Sequence, residues 1–271
     1  MNKPSIYHEH SPQLDTLWKK SVARIWSPDG ETGWYDQSLR EVMVLGTLLR
    51  KFRIEPQGVL YLGAHSGYLL WVWLLLGYRN VLMVEPQEDV FKRLATVAKA
   101  TSAMAMVRDQ MLDCEEPTQI HVAQCAISDH DGEADFFVMA HSMLSSLQAP
   151  NVTEFGQQRL REAMSVNERV TVPVRTLDSL LRELAEGGSD TRYNTLYLNI
   201  QGAELKALQG ARQTLKHIEF IHLEVNIKER YVGAPTAEDI DTFLGELGFE
   251  PGWGMRYPTI GNGHTAYVRK R

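Results

Sequence analysis

At 271 residues the chain has room for one large domain with additions, or at most two small ones, and 44% hydrophobic with 23% charged residues is ordinary globular composition. A formal net charge of −6 argues against a general binder of nucleic acid or of an anionic membrane. Two cysteines, Cys114 and Cys125, are too few for a disulfide framework or a zinc cluster.

The first ten residues, MNKPSIYHEH, lack the apolar core of a signal peptide. The most apolar run, LLWVWLLL at 69–76, is too short to span a bilayer. A cytoplasmic enzyme is the default expectation. Residues 11–26 carry apolar side chains at Leu14, Leu17, Trp18, Val22, Ile25 and Trp26, a helical stripe behind a serine cap. A turn at 27–30 leads to a second amphipathic helix over 39–52. Residues 1–57 therefore read as an N-terminal helical cap, and 58–271 as the main domain. Trp26, Trp34 and Tyr35 could line a substrate pocket under that cap, but packing the helices onto the sheet is the more economical role for large aromatics.

The chain turns on residues 59–67, VLYLGAHSG. VLYL reads as a buried strand. It ends in Gly63-Ala64-His65-Ser66-Gly67, and an apolar helix over 68–76 follows. A strand that stops at a glycine turn and feeds a helix opens a nucleotide-binding α/β sheet, because the backbone must turn sharply close to a ligand. The spacing is neither the G-x-G-x-x-G of a dinucleotide site nor a P-loop. The next strand, 80–84, ends in Glu85-Pro86. A carboxylate there can accept hydrogen bonds from both hydroxyls of a ribose. No basic residue beside it welcomes a phosphate, which favours S-adenosylmethionine over NADP and, mildly, over NAD.

A helix is expected over 88–100, and 104–117 is ambiguous. HVAQCAI (121–127) reads as a third strand, followed by the polar turn 128–133, a short strand over 134–139, and SMLSSL at 142–147. Residues 151–169 form a polar excursion. VTVPV (170–174) alternates, and Pro173 marks it as an edge strand. Thr176-Leu177-Asp178 opens a helix over 179–184. Strands at 195–200 and 220–225 enclose a helix running from Glu204 to about residue 215. A helix over 235–247 precedes a terminal hairpin of 249–257 with 265–268. Strands alternating with helices imply a largely parallel sheet with its ligand beyond the strands' carboxyl ends. Those ends carry residues 63–67, Glu85, Ser128, residues 199–204 and Glu224. No internal repeat or low-complexity tract interrupts the pattern.

YLGAHSGY, VLMVEP, AQCAISDHDGEADFFV, SMLSSL, VPVRTLDSLL, LYLNIQGAELKALQGA and IHLEVN together resemble the FkbM-type family of S-adenosylmethionine-dependent methyltransferases. They occur in the family's order across residues 59–226. The resemblance implies a Rossmann-like class I methyltransferase fold, with helices on both faces of the sheet, and methyl transfer to a hydroxyl of a sugar or natural product. Two segments depart from the family. Tyr61 stands where an Asp precedes the first glycine, with His65 in place of an Asn. Asn199 stands where the later strand ends in Asp. The family carboxylates would help orient the cofactor's methionine end, a metal or the substrate. Their absence leaves altered cofactor geometry, an altered substrate or weak activity.

The expected cofactor contacts are Gly63, Ala64, His65, Ser66, Gly67, Glu85, Pro86, Ser128, Asn199 and Gln201. Methyl transfer rests mostly on positioning, plus an acceptor for the hydroxyl proton. The candidates for that chemistry are Glu224, which is preferred, and His65, with Asn199 orienting through hydrogen bonds. His222 shares a face with Glu224 and reads more simply as structural. Asp129, His130 and Asp131 could hold a cation, but a solvated turn explains them better, and no metal is expected. The partner is a small-molecule acceptor, with no nucleic acid and no membrane; a homo-oligomer stays open. The other readings are a non-catalytic binding protein on a degenerate methyltransferase fold and an NAD-dependent oxidoreductase.

Overall fold

A computed structural model describes residues 7–9, 33–114, 116–151, 158–257 and 261–270. The helix expected over 11–26, with Trp26, lies outside the described residues, as do the side chains of Trp34 and Tyr35. The main sheet contains β1 (Tyr7–Glu9), β2 (Gly58–Leu62), β3 (Asn80–Val84), β4 (Gln119–Ala123), β8 (Thr195–Leu198), β9 (Phe220–Asn226), β10 (Phe249–Tyr257) and β11 (Asn262–Arg269). A second sheet holds β5 (Ala126–Ile127), β6 (Gly132–Met139) and β7 (Val166–Arg175). The helices are α1 (Gly33–Phe52), α2 (Leu70–Leu75), α3 (Glu88–Met111), α4 (Gln158–Ala163), α5 (Leu177–Glu186), α6 (Glu204–Gln209) and α7 (Ala237–Glu246).

The main sheet runs β1-β10-β11-β9-β8-β2-β3-β4. From β4 to β9 every pairing is parallel. β11 alone runs against both of its neighbours, which makes the expected C-terminal hairpin part of the sheet. β2 and β8 are central, so the glycine turn leaves the middle of the sheet. Parallel strands covered on both faces read as continuous apolar runs, and β2, β3, β8 and β9 are buried throughout.

Alternate residues divide between two cores. Leu60, Leu62, Leu82, Leu196 and Leu223 face α5, α6 and α7. Val59, Val81, Met83, Tyr197 and Phe220 face α1, α2 and α3. Helices on both faces of a largely parallel sheet are the Rossmann-like class I methyltransferase architecture that the family resemblance implied.

Five expectations change. HVAQCAI is not one strand: β4 ends at Ala123, and the chain leaves the main sheet before starting β5 in the second one. The strand that follows, β6, belongs to this second sheet, and the excursion expected over 151–169 contributes its last residues to β7. β7 is the middle strand of its sheet, not an edge. Pro173 is tolerated because it pairs with Glu133 on one side only, the pairing to β5 beginning at Val174. α3 runs on to Met111, through the stretch that had no clear reading. α2 is shorter than the 68–76 expected, so the glycine turn lies at the end of β2 with no helix terminus directly behind it.

Candidate active site

The turn after β2 is built by close approach. The N–H groups of Gly63 and Ala64 both donate to the Val84 carbonyl at 3.0 Å, which ties the ends of β2 and β3 together. Gly63 has φ +75°, and a Cβ there would sit 2.1 Å from the Asn199 carbonyl oxygen. Only glycine fits between β2 and β8. His65 also holds a left-handed conformation, φ +49°. That turns its N–H onto Glu85 Oε2 at 3.0 Å. The other carboxylate oxygen of Glu85 accepts the Gln87 N–H, also at 3.0 Å. Glu85 is buried, and desolvation pushes its pKa up to about 7 against those two donors.

A cleft opens beyond these strand ends. One wall comes from the main sheet: Leu62, Gly63, His65, Glu85, Pro86, Asn199 and Gln201. The other comes from the second sheet and the 310 turn after it, including Ile127, Phe136, Ser142, Met143, Ser145 and Leu147. His65 spans the two, with Nε2 2.9 Å from Ser142 Oγ. Burial lowers the His65 pKa to about 4, so its imidazole is neutral at physiological pH. Gln201, at φ +56°, donates from its amide to Asn199 Oδ1 and accepts from the Tyr231 hydroxyl at 2.8 Å.

Six of the expected site residues thus share one cleft: Gly63, His65, Glu85, Pro86, Asn199 and Gln201. Ala64 is buried beneath the turn, and Gly67 closes the turn by donating to the Ala64 carbonyl. Ser66 and Gly67 are not among the lining residues. Ser128 is buried one residue beyond the wall, its carbonyl against Gly210. Glu224 also stands outside the cleft. Its Oε1 accepts from Arg230 Nη1 at 3.1 Å and Asn262 Nδ2 at 2.8 Å. His222 is fully buried, stacked between Tyr197 and His264 at 5.2 and 5.4 Å.

Tyr61, which replaces the family's Asp, is a core residue. It is fully buried and packs edge-on against Tyr197 and Trp73. Cys125 lines the cleft, but burial pushes its thiol up to about 11 and keeps it protonated. Asp131 is committed to the Thr176 N–H and the Ser179 hydroxyl, at 2.6 and 2.7 Å. Among the described residues no group of three or more His, Cys, Asp or Glu could hold a metal ion. None of their helices is long and apolar enough to cross a membrane.

Sequence reasoning missed Ser142, Ser145 and the apolar wall of Phe136, Met143 and Leu147. The signal was present in SMLSSL, whose three serines, one before and two after an apolar pair, had no assigned face.

The sheet order, the glycine turn and the cleft at the strands' carboxyl ends define an α/β protein of the methyltransferase architecture. A family model described as the methyltransferase FkbM domain matches residues 62–251, and the chain belongs to that family. A methyltransferase FkbM from Methylobacillus flagellatus KT is similar in structure at TM-score 0.48 and 13% identity, over 94% of this chain and 59% of that one. The chain thus spans under two thirds of that protein's length. Magnesium protoporphyrin IX methyltransferase from Synechocystis PCC 6803, solved with bound S-adenosylmethionine, aligns at TM-score 0.43 and 12% identity, over 96% and 92% of the two chains. The 1,6-didemethyltoxoflavin-N1-methyltransferase of Burkholderia thailandensis, solved with S-adenosylhomocysteine, aligns at TM-score 0.42 and 13% identity, over 100% and 94%. No curated protein matches the chain.

Proposed function

We propose that the protein transfers a methyl group from S-adenosylmethionine to a hydroxyl of a small molecule. The observation that carries this reading is Glu85. Each of its oxygens accepts one backbone N–H and keeps a lone pair, so the pair is oriented to receive the two hydroxyls of a ribose. The Gly63 backbone lines the cleft beside it. Asn199 and Gln201, at the end of β8, suit the polar amino acid end of the cofactor. S-adenosylmethionine, when bound, supplies an electrophilic methyl on a sulfonium.

The chain's own residues then have to hold and deprotonate the acceptor. We assign orientation to His65 with Ser142, because burial makes the imidazole a reluctant base while leaving it a good hydrogen-bonding partner. We assign the proton to Glu224 for an acceptor that extends past Gln201, because Glu224 itself stands outside the cleft. Arg230 and Asn262 both converge on Oε1, and Oε2 accepts no hydrogen bond among the described residues. We place the protein in the cytoplasm, a reducing compartment that suits two free thiols. Its partner is a small-molecule acceptor, and neither nucleic acid nor membrane is assigned to it.

Calorimetry with S-adenosylmethionine, S-adenosylhomocysteine and NAD tests the reading. The first two should bind in the micromolar range and NAD should not. Binding of NAD alone would overturn it. Tight cofactor binding without turnover on any hydroxylated small molecule would leave a binding protein on a methyltransferase fold.

A further inference from the structure

α3 is a helix with two apolar faces. One packs on the sheet through Leu94, Ala98 and Ala105. The other is exposed among the described residues. Val97, Met104, Val107 and Met111 are 38%, 74%, 52% and 80% exposed, although each is a large apolar side chain. Their separations are seven, three and four residues. With Ala100 they complete an a-d-a-d-a series, the 3.5-residue spacing by which one helix packs along another. From Ala100 to Val107 there is no charged residue at all, whereas the same helix begins with Glu88, Asp89, Lys92 and Arg93. A solvated helix would carry charge on that face throughout.

We infer that this strip is a homodimer interface, in which α3 of one chain lies along α3 of a second copy. A heptad strip is complementary to another of the same spacing, and a twofold axis lets one patch serve both sides. The exposed side chains offer roughly 500 Å² per chain, or about 1,000 Å² for the pair, the size at which specific interfaces begin. That predicts a dimer of micromolar affinity. A membrane surface is the poorer occupant. Helices that lie on membranes flank the apolar face with Lys and Arg and anchor it with aromatics. Here Thr101, Ser102 and Ala103 separate the two basic residues Lys99 and Arg108 that bound the uncharged stretch, the helix has no aromatic after Phe91, and the chain carries a net charge of −6.

Sedimentation velocity of the full chain from about 1 to 200 μM should show the average mass rising toward twice the monomer value. The double variant Met104→Lys/Val107→Lys should raise the dimer dissociation constant at least tenfold, with an unchanged circular dichroism spectrum and unchanged S-adenosylmethionine binding. Met106→Lys is the control. Met106 is 58% exposed on the same helix but about 200° around from Met104, so its dimer should persist. A wild-type chain that stays monomeric to the highest concentration overturns the inference. So does a double variant that dimerises as well as wild type, or a Met106→Lys variant that loses the dimer equally. Co-sedimentation with phosphatidylserine–phosphatidylcholine vesicles that the double variant abolishes would assign the strip to a lipid surface and overturn it too.

Discussion

Glu85 is asked to do two opposed things. Burial favours its protonated form, raising its pKa from the usual 4.5 to about 7, while a ribose diol needs the carboxylate. A raised folded-state pKa contributes stability that is fully present below pH 4.5 and lost as pH rises through 7. The whole shift amounts to roughly 3 kcal/mol. The ligand-free protein therefore carries a cost above pH 7 that hydroxyl donors from a ligand would offset. S-adenosylmethionine affinity should fall as pH drops below 7, approaching tenfold per unit. The thermal shift that the cofactor gives should be larger at pH 8 than at pH 5.5. Glu85→Gln should bind more than tenfold more weakly at pH 8, with a nearly flat pH profile. Titrations of both proteins at four pH values check this; a variant that keeps the wild-type slope would mean that the titrating proton belongs to another group.

At the level of elements, the segments that carry the family resemblance are joints. Thr176 caps α5 by accepting the Ser179 N–H at 3.1 Å. Asp178, two residues on, accepts the Gln213 and Thr214 N–H groups at 2.9 and 2.8 Å and the Thr214 hydroxyl at 2.7 Å. It thereby pins the start of α5 to the chain after α6. Asp178→Ala should cost about 2–3 kcal/mol, because it leaves charge-assisted hydrogen bonds unmade. For a chain of this size that is a fall in Tm of roughly 4–10 °C. Calorimetric melting measures the fall, and S-adenosylmethionine binding should be unchanged within twofold. The TLD motif was legible as a helix start, since its capping chemistry is local. Its grip on residue 214 was not, because nothing in the spacing of 178 and 214 announces a contact. The same distinction runs through the chain. β2, β3, β8 and β9 could be read because full burial turns a strand into an unbroken apolar run. The switch of sheets at Cys125 could not, since HVAQCAI stays apolar across the break. Tyr61 looked like a lost cofactor ligand until its face of the sheet was known. Arg230, the partner of Glu224, sits in an aperiodic loop and gave no signal.

The whole molecule puts its cleft between two sheets, so the cleft is only as firm as what ties them. Three contacts do this near its floor. Ser146 Oγ donates to the Gln201 carbonyl at 2.7 Å. The Tyr231 hydroxyl lies 2.9 Å from the Leu144 carbonyl and 2.8 Å from Gln201 Oε1. Pro150 and Tyr231 form an isolated bridge. Tyr231 is fully buried and belongs to the loop after β9, so one side chain links the main sheet to the 310 turn that carries Ser142. Tyr231→Phe keeps the ring and removes the hydroxyl. The hydroxyl's one proton serves the Leu144 carbonyl and Gln201 Oε1 between them, so the variant leaves one buried acceptor short of its donor, at a cost of about 1–3 kcal/mol. Most of that cost should appear locally, because the ring still packs with Met139 and Met164. Amide hydrogen exchange at residues 142–147 should therefore quicken by about tenfold, which corresponds to about 1.4 kcal/mol of local opening, while exchange in β2 and β8 should not change. S-adenosylmethionine affinity should fall with it by a similar factor, since the wall carrying Ser142, Met143 and Ser145 is the one released. Exchange that quickened equally in both sheets would show that Tyr231 supports the fold as a whole rather than the closure of the cleft.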